Sequence, residues 1–363
     1  MYRAGIIGAG GIAGMGILGM HEESDIGKKK FRASHAGGYR EADGIELVAV
    51  SDLNEEKLET FCSAWDIPKD HQYTDFEQML ATEDLDVVSV CTPSMYHHDP
   101  VIRAAESQNP AVILCEKPIA TSVADGEAMV RACRSNDVEL VVNHSFRFTD
   151  KLQRLRSLIV DDGLIGDIHS VTANFRMELL RNSTHLLDTL IYLLDARAER
   201  VAGYITGENE AVSALDADQR VDDSGGGGFV VMDDGTFVTV DCTVPRAISS
   251  MSYQFIGDAG KLYLNNDDGE WRYWELQDGD HVEKPLPGID SAWTWEADYE
   301  DAFPRAVNHV VDLLDEKTTN ISPGEDAVRS LEMIVAFYLS EYTGSQIAVP
   351  LAEPLQDVTI TSW

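Results

Sequence analysis

The stretch Leu114-Cys115-Glu116-Lys117-Pro118-Ile119-Ala120 sets a glutamate, a lysine and a proline directly after the apolar run Ala111 to Cys115. A charge at the carboxyl end of a buried strand either escapes to solvent or faces a ligand in the crevice above the sheet. Two other stretches point to a ligand. Gly8-Ala9-Gly10-Gly11-Ile12-Ala13-Gly14 follows the mostly apolar Arg3 to Ile7 and precedes a helical pattern. In that context Gly8 permits a tight turn, Gly10 lets the backbone approach a pyrophosphate, and Ala13 allows close helix–strand packing. Gly11 and Ile12 complete the cofactor-facing loop. Asp52 ends a second apolar run, Ile45 to Val50. A carboxylate there accepts hydrogen bonds from both ribose hydroxyls and repels a 2′-phosphate, and no arginine follows in Leu53-Asn54-Glu55, so NAD is expected over NADP.

These residues need elements to hold them. Further apolar runs at Asp86 to Cys91 and Glu139 to Asn143 alternate with helical patterns at Asn54 to Trp65 and Ser122 to Ser135. Continuous Val/Ile/Leu strands between amphipathic helices predict a doubly wound parallel sheet, a Rossmann dinucleotide-binding domain over residues 1–146. After Arg147 the pattern changes. Helices are predicted at Lys151 to Ile159 and Thr184 to Leu194, a strand near Ile168 to Met177, then short strands from Val201 to Val282 separated by turns such as NDDGE. These predict one open, mainly antiparallel sheet in an α/β domain over 147–363, closed by helices at Asp301 to Leu314 and Gly324 to Tyr342. No repeat or linker interrupts the chain, and the Gly225 to Gly228 run is too short to be one.

Composition bounds the class. The 363 residues, 44% of them hydrophobic, suffice for two domains with proper cores. No apolar run approaches the length of a membrane span and the N-terminus enters a strand without a signal-peptide pattern, so a cytoplasmic protein is expected. Five scattered cysteines suit neither a disulfide framework nor a CxxC metal site, and the ten histidines show no ligand spacing, so no metal is expected. Lys+Arg 28 against Asp+Glu 63 gives a net charge of −35, which disfavours nucleic acid as a partner. The acidity is spread along the chain, as in proteins of salt-loving cells. Asp52 lies 44 positions after Gly8, where about 20 is usual. Gly19 to Tyr39, with basic Lys28 to Lys30, is the inserted stretch: a surface excursion, or a flap or subunit contact that brings His35 toward the site.

The combination of GAGGIA, Asp52, CTPSMYHH, CEKPIA, the arginine of SFRF and the helix STHLLD resembles the Gfo/Idh/MocA oxidoreductase family over nearly the whole chain. The resemblance implies hydride transfer between NAD(P) and a sugar, polyol, sugar acid or nucleotide sugar, in a homodimer or homotetramer built through the C-terminal sheet. Lys117 matches the family lysine and His185 the family histidine. A neutral imidazole suits the base and an ammonium suits stabilising alkoxide charge, though the reverse assignment is chemically possible. Thr92, Pro93, Ser94, His97 and Glu116 match positions lining the nicotinamide nucleotide, and Arg147 an arginine at the domain junction. Asp188, on the same helix face, is placed to orient His185. Many alcohol-oxidising relatives carry an aspartate where Arg181 stands, so Arg181 and Asn182 are candidates to grip an anionic or acylated sugar. Asp222 or Asp223 could lend a carboxylate, though a solvated turn is the plainer expectation. The tryptophans and tyrosine at 271, 273, 274, 293 and 295 read as sheet core or subunit interface, or as sugar-stacking faces. Two other functions fit the same architecture: an enzyme that keeps NAD bound and cycles hydride internally, and a non-catalytic NAD or sugar-binding regulator.

Overall fold

The computed structural model describes residues 1–15, 32–107, 109–206, 220–290 and 294–362. Its first part alternates β1 (Tyr2–Ile7), α1 (His35–Glu41), β2 (Ile45–Ser51), α2 (Glu55–Ala64), β3 (Gln72–Tyr73), α3 (Phe76–Thr82), β4 (Val87–Val90), α4 (His98–Glu106), β5 (Val112–Cys115), α5 (Val123–Ser135) and β6 (Glu139–Val142). Every residue of β4 and β5 is buried, as continuous apolar strands between two helical layers must be. Polar caps start the helices: Ser34 accepts from the Gly37 N–H, Asn54 from Lys57 and Asp75 from Glu77. The parallel sheet runs β3-β2-β1-β4-β5-β6, with the reversal of strand order between β1 and β4. Ile7 pairs with Ser51 on one side and Val90 on the other, and Cys115 pairs with Val90 and Val142. Gly8, Asp52, Cys91, Glu116 and Asn143 therefore all leave the sheet along one edge.

The chain continues through α6 (Asp150–Arg156), β7 (Ile168–Arg176), α7 (Thr184–Leu194), β8 (Ala198–Ile205), β9 (Arg220–Asp222), β10 (Gly226–Met232), β11 (Phe237–Val244), β12 (Ser252–Gly257), β13 (Gly260–Asn265), β14 (Glu270–Gln277), β15 (Asp280–Lys284), α8 (Ala302–Leu314), α9 (Gly324–Thr343), β16 (Ile347–Ala348) and β17 (Thr359–Thr361). A nine-stranded sheet has the order β15-β14-β13-β12-β7-β11-β10-β8-β16, antiparallel except where β7 meets β11. One short strand of this stretch, β9, stays outside it. Both edges of β10 are taken by β8 and β11, so β9 pairs instead with the C-terminal β17, in parallel.

The compact units do not follow a single cut in the chain. One comprises Met1–Ala120, Asp125–Thr149 and Tyr299–Ala327; the other Thr121–Ala124, Asp150–Asp298 and Val328–Trp363. Sequence assigns 299–327 to the second domain, but its apolar face is spent on the first. Val307 and Val310 of α8 are buried with Tyr39, Ile45 and Phe148, and burying each such side chain contributes roughly 1.5–3 kcal/mol.

Candidate active site

In the first unit a cavity of about 830 Å³ opens at the carboxyl ends of β1 and β4. A Cβ at Gly8, whose φ is +96°, would stand 2.9 Å from the Cys91 carbonyl carbon, so only glycine makes this turn between the two strands. Gly10 faces open space, with no atom within 4 Å of where a Cβ would be. Asp52 is pinned to the loop: its Oδ2 accepts the Ala9 N–H at 2.7 Å and its Oδ1 the Asn54 N–H at 2.8 Å. Each oxygen keeps a lone pair for a further donor. Of the residues singled out in the sequence, Gly8, Gly10, Gly11, Ile12, Asp52, Thr92 and Pro93 line the cavity. Ala13 is buried beneath it. Sequence missed Leu53, Met95 and Tyr96, exposed apolar side chains on the same walls, and Lys57 in the first turn of α2. A dinucleotide fits such a site: an open glycine backbone, a carboxylate at the second strand and a flat apolar rim. In place of the helix expected after the loop, Gly11–Met15 forms a short turn broken at Gly14, whose φ is 170°, and Lys28 to Lys30 lie outside the described residues.

Beyond β5 the side chains part company with their expected directions. Glu116, expected to face the ribose or nicotinamide, is turned inward and only 6% exposed. Its Oε1 accepts from Asn143 Nδ2 at 2.7 Å and meets His35 Nε2 at 2.9 Å. Burial pushes this carboxyl up, but the His35 contact, the Lys117 ammonium and the Asn143 amide outweigh it and hold the group below the usual glutamate range. Lys117, next in the chain, is half-buried. His97 does not line the cavity either. Its Nε2 meets the Thr92 carbonyl at 2.8 Å and its Nδ1 those of Pro118 and Ile119 at 3.0 and 3.2 Å, stapling the loop after β4 to the segment after β5. Burial lowers its pKa against the pull of those carbonyls and of Glu116. Ser94, half-buried, opens the short turn Ser94–Tyr96. Arg147, expected at the site, is a structural clamp. It is 1% exposed and its Nη1 donates to Asp326 at 2.8 Å and to the Ile321 carbonyl at 2.9 Å, tying 299–327 to the first unit.

In the second unit, Glu178 takes a left-handed conformation (φ +71°) and starts a π-helical turn, Leu179–Ser183, that runs into α7. Asp223 caps this turn, accepting the Leu180 and Arg181 N–H groups at 2.9 Å each, while Ser362 donates to it at 3.0 Å. It is therefore neither a solvated turn nor a free carboxylate, and burial raises its pKa. Asn182 is buried, donating to the Met177 carbonyl and to Glu178 Oε2, so its amide holds the turn and is not turned toward a substrate. Arg181 is half-exposed, its Nη1 3.8 Å from Glu178 Oε1. His185 stands half-buried in the first turn of α7, and Asp188 is buried one turn on; the burial of Tyr253 raises that phenol's pKa, and the Asp188 charge adds to the rise. The aromatic residues of β14 serve the sheet: Tyr273 donates to the Leu164 carbonyl, Trp271 to Asn266 with Lys151 over its ring, and Trp274 lies between Lys261 and Arg272. The side chains of Trp293 and Trp295 lie outside the described residues.

Strand order, glycine turn and cavity together define a dinucleotide-binding protein of the Rossmann class. The chain belongs to the Gfo/Idh/MocA oxidoreductase family: the family's NAD-binding Rossmann fold matches residues 2–144 and its C-terminal alpha/beta domain residues 177–349. It is 28% identical to D-apiose dehydrogenase from Paraburkholderia graminis, over 90% of this chain and 89% of that one. It is 30% identical to 2,7-anhydro-N-acetylneuraminate hydratase from Mediterraneibacter gnavus over about half of each chain, 51% and 52%. Among solved structures it is similar to the WlbA dehydrogenase from Bordetella pertussis in complex with NADH and UDP-GlcNAcA, with a TM-score of 0.74, 23% identity and coverage of 97% and 98%. No described helix is long and apolar enough to cross a membrane.

Proposed function

We propose that this oxidoreductase oxidises a secondary alcohol of a sugar, polyol or sugar acid with NAD. The observation that carries the reading is the cavity at the β1/β4 reversal, with an open Gly10 on one wall and the Asp52 carboxylate on another. When bound, NAD supplies the hydride acceptor. The Asp52 charge favours NAD over NADP. Lys117 donates a hydrogen bond to the alcohol oxygen as negative charge gathers there, and His185 takes the hydroxyl proton. Arg181 meets the anionic group of an acidic sugar; Asn182, held by the turn, does not. The similarity to D-apiose dehydrogenase supports a carbohydrate substrate. The hydratase relative favours a second reading, in which NAD stays bound and the same molecule gives up and regains the hydride. The exposed Tyr204, Phe237 and Ile256 of β8, β11 and β12 support a homo-oligomer through this sheet.

The test is NADH formation in concentrated potassium chloride with D-apiose, inositols, sugar acids and nucleotide sugars, NADP run beside NAD. One substrate class is expected to turn over, with kcat lowered roughly 10²–10⁴-fold in Lys117→Ala. Turnover of substrate without net NADH would replace this reading by the hydride-cycling one. Equal rates for Lys117→Ala and wild type would remove the lysine from the chemistry.

A further inference from the structure

We propose that His35 is a positioning residue for Lys117, acting through the buried carboxylate of Glu116. The inference deepens the reading of Lys117 as a residue of the reaction and rests on it. His35 belongs to α1, in the stretch that lengthens the path from the glycine loop to β2, and none of its surface is exposed. Both ring nitrogens are engaged: Nδ1 lies 2.8 Å from Ser89 Oγ and Nε2 2.9 Å from Glu116 Oε1, while the Tyr39 hydroxyl lies 2.7 Å from the same serine oxygen. One assignment of hydrogens satisfies every member. Tyr39 donates to Ser89, Ser89 donates to Nδ1, and Nε2–H donates to Glu116. On the carboxylate the same Oε1 accepts the Asn143 amide at 2.7 Å, and Oε2 the Lys117 N–H at 3.3 Å.

Groups from α1 and the segment after β6 thus converge on a carboxylate adjacent in sequence to Lys117, with Ser89 of β4 holding His35 from behind. Tyr39 is buried in the core, so the chain of hydrogen bonds ends there and serves as an anchor, not a proton exit. The other ionisable groups near the carboxylate are the Lys117 ammonium, His97 and the thiols of Cys91 and Cys115; the Phe303 ring of α8 packs edge-on to His35 at 5.8 Å. A buried carboxylate that loses a donor binds a proton more readily. It also loses the bond that fixes its orientation, so its charge is no longer held beside Lys117 and stabilises the ammonium less, which gives up its proton at lower pH.

Competitive labelling with acetic anhydride, read by peptide mass spectrometry, measures the free-base fraction of the Lys117 amine without substrate or cofactor. At pH 8, His35→Phe and Glu116→Gln are expected to label Lys117 roughly three- to tenfold faster than wild type, a change of about half to one in pKa. His35→Gln, whose amide still donates toward Glu116, is expected within about twofold of wild type. Unchanged labelling in His35→Phe with a native circular dichroism spectrum overturns the proposal, whatever Glu116→Gln does. If His35→Phe does not fold, Ser89→Ala takes its place: faster labelling supports the anchor and an unchanged rate overturns it. Failure of the underlying reading shows separately, as full turnover in Lys117→Ala, and leaves the labelling result untouched.

Discussion

Glu116 and Gly8 mark what single residues disclose in advance. The glycine turn was legible because φ and close backbone approach are local properties, written in the residue type itself. The direction of Glu116 was not, because it is set by His35 and Asn143, which lie 81 and 27 positions away in the chain. Asn182 misled in the same way, its amide being spent on Met177 and Glu178. A buried, ionised Glu116 has a consequence for stability. Its folded pKa is depressed below the ordinary 4.5, so its ionised form contributes stability in full above that value, and the contribution is lost as pH falls through the folded value. Glu116→Gln should therefore melt lower than wild type at pH 7, with the gap narrowing as the pH drops below 4.5. Melting curves of both proteins from pH 3 to 7 check this, and a gap that stays constant would contradict an ionised carboxylate.

Elements were read more faithfully than their partners. α7 was predicted with its observed bounds, since a long apolar helix advertises its own period. Pairing is a different matter, because a strand's neighbours depend on edges left free elsewhere. Hence the parallel β7–β11 contact and the exile of β9 to β17 were invisible. The return of α8 to the first unit was hidden for the same reason: its apolar face says that it must be covered, not by what. The Arg147 clamp makes that return testable. Removing one partner of a buried ion pair strands the other charge, at a cost of roughly 3–5 kcal/mol. Asp326 retains some exposure, which places the cost toward the lower figure. Urea unfolding of Arg147→Ala should show a midpoint lowered accordingly, with 299–327 cut early in limited proteolysis. A variant as stable as wild type would mean that the apolar face of α8 alone holds the segment.

At the scale of the whole molecule, 63 carboxylate side chains against 28 basic ones make folding and association work against the same repulsion. Many of the basic residues are already committed to pairs, as Arg3 is to Glu83 and Arg272 to Glu283. The surplus acid remains for solvent to screen. Screening acts over a Debye length that falls from about 10 Å at 0.1 M salt to about 3 Å at 1 M. The melting temperature is therefore expected to rise by roughly 5 °C between those concentrations, about 4 kcal/mol for a chain of this size. Light scattering over the same series should show monomers at low salt joining through the apolar face of the large sheet at high salt. Potassium and sodium chloride should act alike if screening is the cause. A rise confined to potassium would point instead to bound cations, and a melting temperature indifferent to salt would show that the spread-out charge has been placed where it scarcely repels itself.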